Sequence, residues 1–276
     1  MKKFYTGVQL YSVRDQLQSD FEGTLKKVAE IGYDYVEFAG YYGNKSGEEI
    51  KNLLDQFGLK CISVHQNIDM FQTQGQTAVD FFKAFGVKYV SVPWYALENY
   101  VTQENRDATV KAFTEVAELL HKNGMVLQYH NHDFEFGKLD DGRYYLDWLY
   151  DSIPAHLLHP QLDVCWIRYA DEDPVKYIKK YADRMHTIHF KDFTCKKLGG
   201  GPVYELIGVD TKADNKEDNG FEFRPLGKGM QNFDVMLEAL ENTIVEYIIV
   251  EQDNCYDTPP LEAITISREF LRSKGI

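Results

Sequence analysis

Short apolar runs alternate along the chain with stretches in which apolar residues recur every three or four positions. The longer spacing indicates amphipathic helices, whereas the short runs are typical of buried strands. A glycine closes four of the helical stretches, and a strand candidate follows each one; these glycines are Gly32, Gly58, Gly86 and Gly124. Glycine fits the left-handed backbone just after a helix, where a side chain is penalised. The repeating unit is therefore helix, glycine, strand.

Eight strand candidates follow from this pattern. They occupy residues 5–11, 33–38, 59–65, 87–94, 126–136, 158–165, 185–192 and 247–253. Helices that alternate with short buried strands predict parallel β-α-β units. Eight such units in a chain of 276 residues predict an α/β protein with one (β/α)8 TIM-barrel domain over residues 1–276. No GxGxxG motif follows a strand, so an open nucleotide-binding sheet lacks its fingerprint.

The connection after the seventh strand departs from this repeat. Between about residues 193 and 229 the periodicity is lost, and glycine, asparagine and aspartate are frequent in 199–201 and 210–220. These residue types favour turns and loops. A connection of this length in a compact domain is typical of a functional lid or a disordered insert. We therefore expect a long loop or lid at about 193–229.

Polar and ionisable side chains stand where the predicted strands end. In a barrel these ends converge on one face, where active sites lie. An apolar strand that ends in an ionisable group is costly unless the group is paired or bound. Mixed Asp, Glu and His ligands suit Mn²⁺, Zn²⁺, Co²⁺ or Fe²⁺ better than Ca²⁺. The residues concerned are Glu37, His65, Trp94, His130, His132, Asp163, His189, Lys191 and Glu251.

The fifth strand candidate carries two of these histidines. If it continues as a strand, Gln128, His130 and His132 lie on one face, because side chains alternate between faces. Two imidazoles at one strand end indicate a metal site or a proton-transfer site. A pair of mutually hydrogen-bonded structural histidines is the alternative interpretation.

Charge and cysteine content narrow the class of protein. The net charge of −13 disfavours nonspecific nucleic-acid binding, which requires Lys and Arg to neutralise phosphates. The four cysteines are far apart and form no CxxC pair, as expected for free thiols in a reducing compartment. No signal-peptide pattern and no bilayer-spanning apolar run are visible. We expect a cytoplasmic protein without nucleic-acid or membrane partners; whether it forms a homo-oligomer stays open.

Four segments resemble the sugar phosphate isomerase/epimerase superfamily, whose members share a xylose isomerase-like barrel. The resemblance extends over nearly the whole chain, and these segments are 162–166 (LDVCW), 189–192 (HFKD), 225–229 (PLGKG) and 250–253 (VEQD). It implies one divalent ion, Mn, Zn, Co, Fe or Mg. In that family the ion is held by a Glu on the fifth strand, an Asp on the sixth, a His on the seventh and a Glu on the eighth.

Three of these four ligands have a counterpart in this chain, namely Asp163, His189 and Glu251. On the fifth strand, many members have Glu-Asn-His where this chain has His-Asn-His at 130–132. The aligned position makes His130 the expected fourth ligand, with His132 or Glu135 as alternatives. A neutral imidazole in place of a carboxylate leaves the ion a stronger Lewis acid.

The resemblance implies an enzyme that acts on a ketose or keto-sugar, with or without a phosphate group. Isomerisation or epimerisation through an enediolate is the first expectation. A lyase or dehydratase of an inosose or 3-keto-glycoside is the alternative, and an inactive sugar-binding barrel is the second. Because one glutamate of the family pair is replaced, Glu251 is the expected base. Lys191 and His132 are the further catalytic candidates, although a surface position for Lys191 stays open.

Five residues are expected to contact the sugar: Glu37, His65, Trp94, Glu135 and Trp166. Aromatic rings pack on sugar C–H groups, although core packing explains the two tryptophans equally well. An ion pair with Arg14 is the alternative for Glu37. The backbone amides around Gly227-Lys228-Gly229 either bind an anion or form a plain turn. Endonuclease IV-like members of the superfamily have Asp-x-x-His on the sixth strand, where this chain has Trp166, and the acidic charge also disfavours DNA.

Overall fold

The computed structural model describes residues 2–199 and 219–276. The strands are β1 (Tyr5–Gln9), β2 (Tyr35–Ala39), β3 (Lys60–His65), β4 (Tyr89–Val92), β5 (Val126–His130), β6 (Leu158–Asp163), β7 (Thr187–Phe190), β8 (Asp192–Thr194), β9 (Glu222–Arg224) and β10 (Tyr247–Val250). The helices are α1 (Arg14–Ser19), α2 (Phe21–Ile31), α3 (Gly47–Phe57), α4 (Ile68–Gln74), α5 (Gln76–Ala84), α6 (Glu98–Val101), α7 (Gln103–Lys122), α8 (Tyr145–Ser152), α9 (Val164–Tyr169), α10 (Pro174–Lys180), α11 (Phe233–Leu240) and α12 (Pro260–Ser273).

Eight of the strands close into a barrel in the order β1, β10, β7, β6, β5, β4, β3, β2. Every neighbouring pair in this barrel is parallel. The predicted (β/α)8 TIM barrel is therefore confirmed. Within the described part of the chain, no helix is long and apolar enough to cross a membrane.

The glycines that separate helix from strand have the backbone expected of them. Gly32, Gly58, Gly86 and Gly124 have φ of +93°, +73°, +89° and +74°. At Gly32 and Gly58 the amide also donates to carbonyls of the preceding helix turn, which ends α2 and α3. Phe113 and Leu120, on the apolar side of α7, are buried as well. Each of these junctions turns the chain from a helix into the next strand.

The core has two parts. Apolar side chains pack between the strands and the helices, whereas polar side chains bond to one another inside the barrel. Thr187 Oγ1 donates to Gln128 Oε1 at 2.9 Å and accepts from Gln161 Nε2 at 3.2 Å. Ser91 Oγ donates to the same Gln128 oxygen at 3.2 Å. Because β5 and β7 are not neighbours in the sheet, the bond between them crosses the interior. Buried polar groups need partners, and this chain of bonds supplies them.

The fifth strand is shorter than the sequence pattern predicts, and it ends at His130. The Asn131 side chain accepts from the backbone amide of Asp163 at 3.0 Å. Glu135 Oε2 accepts from the backbone amide of His132 at 2.7 Å, and a 3-10 turn follows at Phe134–Phe136. These side-chain bonds take over backbone groups that a longer strand would have paired, which bends the chain after His130.

A short strand lies near each end of the region predicted as a long loop, and the two strands pair with each other. β8 and β9 pair antiparallel, with Phe193 opposite Phe223. Both rings are buried beside Trp166 and Phe221 in a small apolar cluster. Residues 200–218 of the expected lid lie outside the described residues.

Candidate metal centre and active site

The ends of β5, β6, β7 and β10 bring four potential metal ligands together. One ligand atom from each lies within 4.8 Å of the other three; the residues are His130, Asp163, His189 and Glu251. Donor atoms that share one ion at about 2 Å lie roughly 3–4 Å apart, so a small contraction suffices to hold an ion. Two imidazoles with two carboxylates form a donor set suited to Zn²⁺, Mn²⁺, Co²⁺ or Fe²⁺.

Unpaired atoms and unbalanced charge show that these residues fit a cation. Nδ1 of His130 and Oδ2 of Asp163 are buried and have no hydrogen-bond partner among the described residues. Buried carboxylates are costly without compensation. Four buried carboxylates lie at this end of the barrel, those of Glu37, Asp163, Glu251 and Asp253, and Lys191 is the buried lysine among them. A divalent ion would offset most of the remaining negative charge.

Another overlapping group meets the same distance criterion, formed by His65, His130 and His189. It offers three neutral imidazoles and no carboxylate. We favour the group with Asp163 and Glu251, because two carboxylates balance a divalent charge in a buried site.

A cavity of about 260 Å³ opens beside the ligand group. The predicted site residues that line it are His65, Trp94, His130, His132, Lys191 and Glu251. Residues that the sequence did not single out also line it: Gln9, Tyr11, Gln66, Asn67 and Asp253. Of these residues, Asp253 could have been predicted from the sequence, because it lies two positions after Glu251 at the end of an apolar strand. A larger cavity of about 460 Å³ lies on the other side of Asp253, but it contains none of the ligand group.

Glu37 is buried away from the cavity that it was expected to line. Its Oε1 is 2.8 Å from Nε2 of His189 and 3.0 Å from Nε2 of His65. Burial alone would raise the pKa of Glu37, but the two imidazoles hold that pKa below its usual value. The alternative partner, Arg14, instead donates to the backbone oxygens of Tyr11 and Asp253. The direct partners of Glu37 are therefore histidines rather than a sugar or an arginine.

Lys191 is a buried cation between three carboxylates. Its Nζ lies 2.7 Å from Asp253 Oδ2, 3.2 Å from Glu251 Oε2 and 3.5 Å from Asp163 Oδ2. Burial alone would lower the pKa of Lys191, but these carboxylates raise it well above its usual value. The side chain is only 1% exposed, so the alternative of a surface lysine is excluded. The lysine presents a fixed positive charge to the cavity.

His132 reaches the cavity although β5 ends two residues before it. Its ring lies between Phe134 and Trp166, with centroid distances of 5.7 and 5.2 Å. Burial, followed by the charge of Lys191, lowers the pKa of His132 to about 3. Nδ1 of His132 has no hydrogen-bond partner among the described residues. The result is a neutral imidazole with an unused nitrogen beside the ligand group.

Trp166 does not wall the cavity as expected, because it is fully buried behind the catalytic candidates. Nζ of Lys191 lies 5.0 Å from the centre of its ring. The same indole packs on Phe221 and Phe223. Trp166 therefore supports His132 and Lys191 from behind, while Trp94 remains the tryptophan of the cavity.

The family model that describes the xylose isomerase-like TIM barrel matches residues 25–274 of this sequence. The chain belongs to this family. Among its relatives, an inosose dehydratase from Clostridium perfringens (strain 13 / Type A) is 25% identical over 229 residues. That match covers 82% of this chain and 69% of the relative.

Several solved structures superpose on the chain over almost its whole length. A sugar phosphate isomerase/epimerase from Parabacteroides distasonis ATCC 8503 has a TM-score of 0.77 and 20% identity, and the match covers 99% of this chain and 95% of that one. The probable 3-DHS dehydratase AsbF from Bacillus anthracis has a TM-score of 0.75 and 16% identity, covering 98% and 99%. The IOLI protein with a bound zinc atom has a TM-score of 0.71 and 14% identity, covering 98% and 97%. At these identities the likeness shows the shared fold alone.

Glu135 is a buried support in this xylose isomerase-like barrel and lies outside the ligand group. Its Oε1 accepts from the Tyr129 hydroxyl at 2.5 Å, and its Oε2 holds the backbone amide of His132. Burial raises the pKa of Glu135 to about 8. The residue does not line the cavity, so the structure brings it to the backbone of the His132 turn and not to a sugar.

The glycine-rich segment of the family pattern is bound by a side chain of the protein itself. Asp192 Oδ2 accepts from the backbone amides of Gly227 and Gly229, and its Oδ1 accepts from that of Gln231. A Cβ at Gly229 would lie 2.2 Å from this carboxylate, which explains the glycine. The expected alternative of an anion-binding loop is therefore corrected, because Asp192 occupies those amides.

Proposed function

We propose that this chain is a divalent-metal-dependent enzyme that removes the proton beside the carbonyl of a polyhydroxy ketone and then releases water from the next carbon. The observation that carries the proposal is the cavity that exposes His132, Lys191 and Glu251 beside a four-ligand group. The relative named inosose dehydratase supports dehydration as the outcome.

The four-ligand group would hold the ion, which when bound supplies Lewis acidity toward the substrate carbonyl. Glu251 belongs to the ligand group, and its Oε2 lies 3.2 Å from Lys191 Nζ, so this carboxylate is a poor base. His132 lines the cavity, and its buried Nδ1 has no hydrogen-bond partner among the described residues, so we assign the proton to this imidazole instead. Lys191 stabilises the negative oxygen of the enediolate that results, and the hydroxyl on the next carbon leaves as water with the proton that His132 took.

Dehydration fits the distribution of carboxylates better than epimerisation does. Among the described residues that line the cavity, the carboxylates are Glu251 and Asp253, which both follow β10 and both pair with Lys191. Epimerisation by two glutamates needs one on each face of the substrate, and His130 occupies the place of the second. Isomerisation or epimerisation is the second candidate, because His132 can also return its proton to a different carbon.

The cavity chemistry favours an uncharged substrate. Its neutral polar lining includes Gln9, Tyr11, Gln66 and Asn67, whose groups suit sugar hydroxyls, and Trp94 adds an apolar ring. Lys191, the cation that lines the described cavity, is engaged by three carboxylates. Recognition of a phosphate relies on Arg, Lys or free backbone amides. We therefore propose a ketose or inosose without a phosphate group.

The reaction class is tested with the metal-loaded protein in D₂O, supplied with an inosose and with ketoses in free and phosphorylated form. NMR and mass spectrometry follow the substrate. Loss of water, with deuterium exchange at the α-carbon, is the expected result for an unphosphorylated ketone. Deuterium in an isomer or epimer of unchanged composition would establish the second candidate. Binding without any exchange, under the same metal loading, would leave a sugar-binding barrel.

His132→Gln is expected to reduce turnover and α-proton exchange together by about 10²–10⁴-fold, the usual contribution of a general base. Metal content should stay at the wild-type level, because His132 is outside the ligand group. His159→Gln is the matched control, since that ring stacks on His186 and is absent from the cavity. Undiminished exchange in His132→Gln would return the role of base to Glu251.

A further inference from the structure

Glu37 is a buried carboxylate that neither lines the cavity nor belongs to the ligand group, yet it bonds to histidines of both. We infer that Glu37 is a positioning residue that sets which ring nitrogen His189 offers to the metal ion and which one His65 offers to the cavity. The part that concerns His65 rests on the proposed function. The part that concerns His189 depends only on the ligand group.

The local sequence of β2 and β3 places Glu37 where it can reach across the barrel. The pairing of β2 with β3 shifts between Val36 and Glu37, so that Val36 lies opposite Cys61 while Glu37 lies opposite Ser63. Such irregularities re-aim side chains near active sites. The Ser63 hydroxyl donates to Oε2 of Glu37, which holds the carboxylate from its own side of the sheet. The other oxygen then points to residues of β3 and β7.

Glu37 determines the tautomer of His189. Its Oε1 lies 2.8 Å from Nε2 of His189, and an ionised carboxylate only accepts hydrogen bonds. Nε2 must therefore carry the hydrogen. Nδ1 of His189 lies 2.8 Å from Oε2 of Glu251, which unlike Glu37 is a member of the ligand group, so an ion bound by both residues takes the place of a hydrogen on this nitrogen. With the hydrogen held on Nε2, Nδ1 is the nitrogen that is available to a cation. Histidine ligands are commonly oriented in this way by an acceptor on the opposite nitrogen.

Glu37 determines the tautomer of His65 by the same logic. Nε2 of His65 lies 3.0 Å from Oε1 of Glu37 and 2.8 Å from Oε1 of Gln161. The amide of Gln161 cannot turn around, because its Nε2 donates to Oε2 of Glu37 at 2.7 Å. Both neighbours of the His65 Nε2 are thus acceptors, and Nε2 carries the hydrogen. His65 lines the cavity and therefore presents Nδ1 as an acceptor for a substrate hydroxyl.

One carboxylate thus sets two imidazoles in the same sense. The two rings are stacked, with centroids 5.1 Å apart and planes 11° apart, so they share a fixed orientation. His189 turns one nitrogen to the ion, and His65 turns the equivalent nitrogen to the substrate. A glutamine at position 37 breaks this arrangement, because its amide nitrogen is a donor. That nitrogen would face either the two histidines or the donors of Ser63 and Gln161, and in both cases two donors oppose each other.

The test measures metal affinity and tautomers, neither of which depends on turnover. Calorimetric titration of the metal-stripped full chain with Zn²⁺ is expected to show about 10–100-fold weaker binding in Glu37→Gln, as found when outer partners of metal ligands are replaced. Glu135→Gln is the matched control, since this carboxylate is as buried as Glu37 but bonds to Tyr129 and to the His132 backbone; its Zn²⁺ affinity should equal that of wild type. Equal affinity in Glu37→Gln and wild type would overturn the inference.

NMR of ¹⁵N-labelled histidine in the Zn²⁺-loaded chain reads the tautomers directly. His65 and His189 are both expected to carry hydrogen on Nε2 in wild type, and the His65 signal should change in Glu37→Gln. A hydrogen on Nδ1 of His65 in wild type would contradict the inference. If Glu37→Gln does not fold, Glu37→Asp keeps the charge but shortens the reach, and it should weaken Zn²⁺ binding similarly. Failure of the proposed reaction leaves these readouts unaffected, so the two ideas fail separately.

Discussion

Lys191→Met is expected to lower the free energy of unfolding by about 3–5 kcal/mol, the usual cost of removing one partner from a buried ion pair. Nζ of Lys191 is within 3.5 Å of carboxylate oxygens from three residues, Asp163, Glu251 and Asp253. Methionine fills similar space between Trp166 and these groups but leaves the carboxylates without their cation. Urea denaturation of the metal-stripped proteins measures the difference.

Two further variants separate charge from packing at this position. Lys191→Met combined with Asp253→Asn should recover part of the loss, because it removes the carboxylate closest to the missing cation. Lys51→Met removes a lysine from an exposed pair with Asp55 and should change the free energy of unfolding by less than about 0.5 kcal/mol. If Lys191→Met is as stable as wild type, the carboxylates do not depend on this lysine.

His130→Ala is expected to abolish stable retention of a metal ion through purification. Loss of a direct ligand should exceed the roughly 10–100-fold effect of changing an outer partner. Elemental analysis of wild type, purified without added metal, should find about one divalent ion per chain, as a single four-ligand site requires. The same analysis of His130→Ala should find the ion depleted, and calorimetric titration gives the change in affinity.

Neighbouring residues provide controls for that experiment. Glu135→Gln removes a carboxylate that the sequence left open as a ligand, but its bonds go to Tyr129 and to the His132 backbone. Its metal content should therefore match wild type. Full retention of the ion in His130→Ala would exclude His130 as a ligand and point to His132 as the fourth ligand. Absence of metal from wild type, even after addition of Mn²⁺ or Zn²⁺, would refute the metal centre.

The barrel and the identity of the strand-end residues follow from the sequence, because both depend on local periodicity. Helix, glycine and strand recur along the first half of the chain, and parallel strands must end on one face. This reasoning brings His130, Asp163 and Glu251 to one place without knowledge of their partners. It also identifies Lys191 as a residue of that face.

Side-chain direction after a strand end does not follow from the same reasoning. Alternation predicts His132 on the face of His130 in a continuing strand, whereas bonds from Asn131 and Glu135 bend the chain. The orientation of the Glu37 side chain depends on its bonds to Gln161 of β6 and His189 of β7, which are far away in the sequence. Trp166 likewise turns into a cluster with the β8–β9 hairpin, which no periodicity indicates. These positions are decided by long-range contacts.

The hydrogen bonds among Ser91, Gln128, Gln161 and Thr187 form a polar floor inside the barrel. This floor limits the routes by which the protein can evolve. The side chain of Gln161 bonds to three residues, His65, Glu37 and Thr187. A substitution at this position therefore removes hydrogen bonds from several strands at once. Other residues, such as Asn67 and Trp94, line the cavity without belonging to this floor. Descendants that acquire new substrates are therefore expected to inherit the floor intact and to accumulate their differences around the mouth.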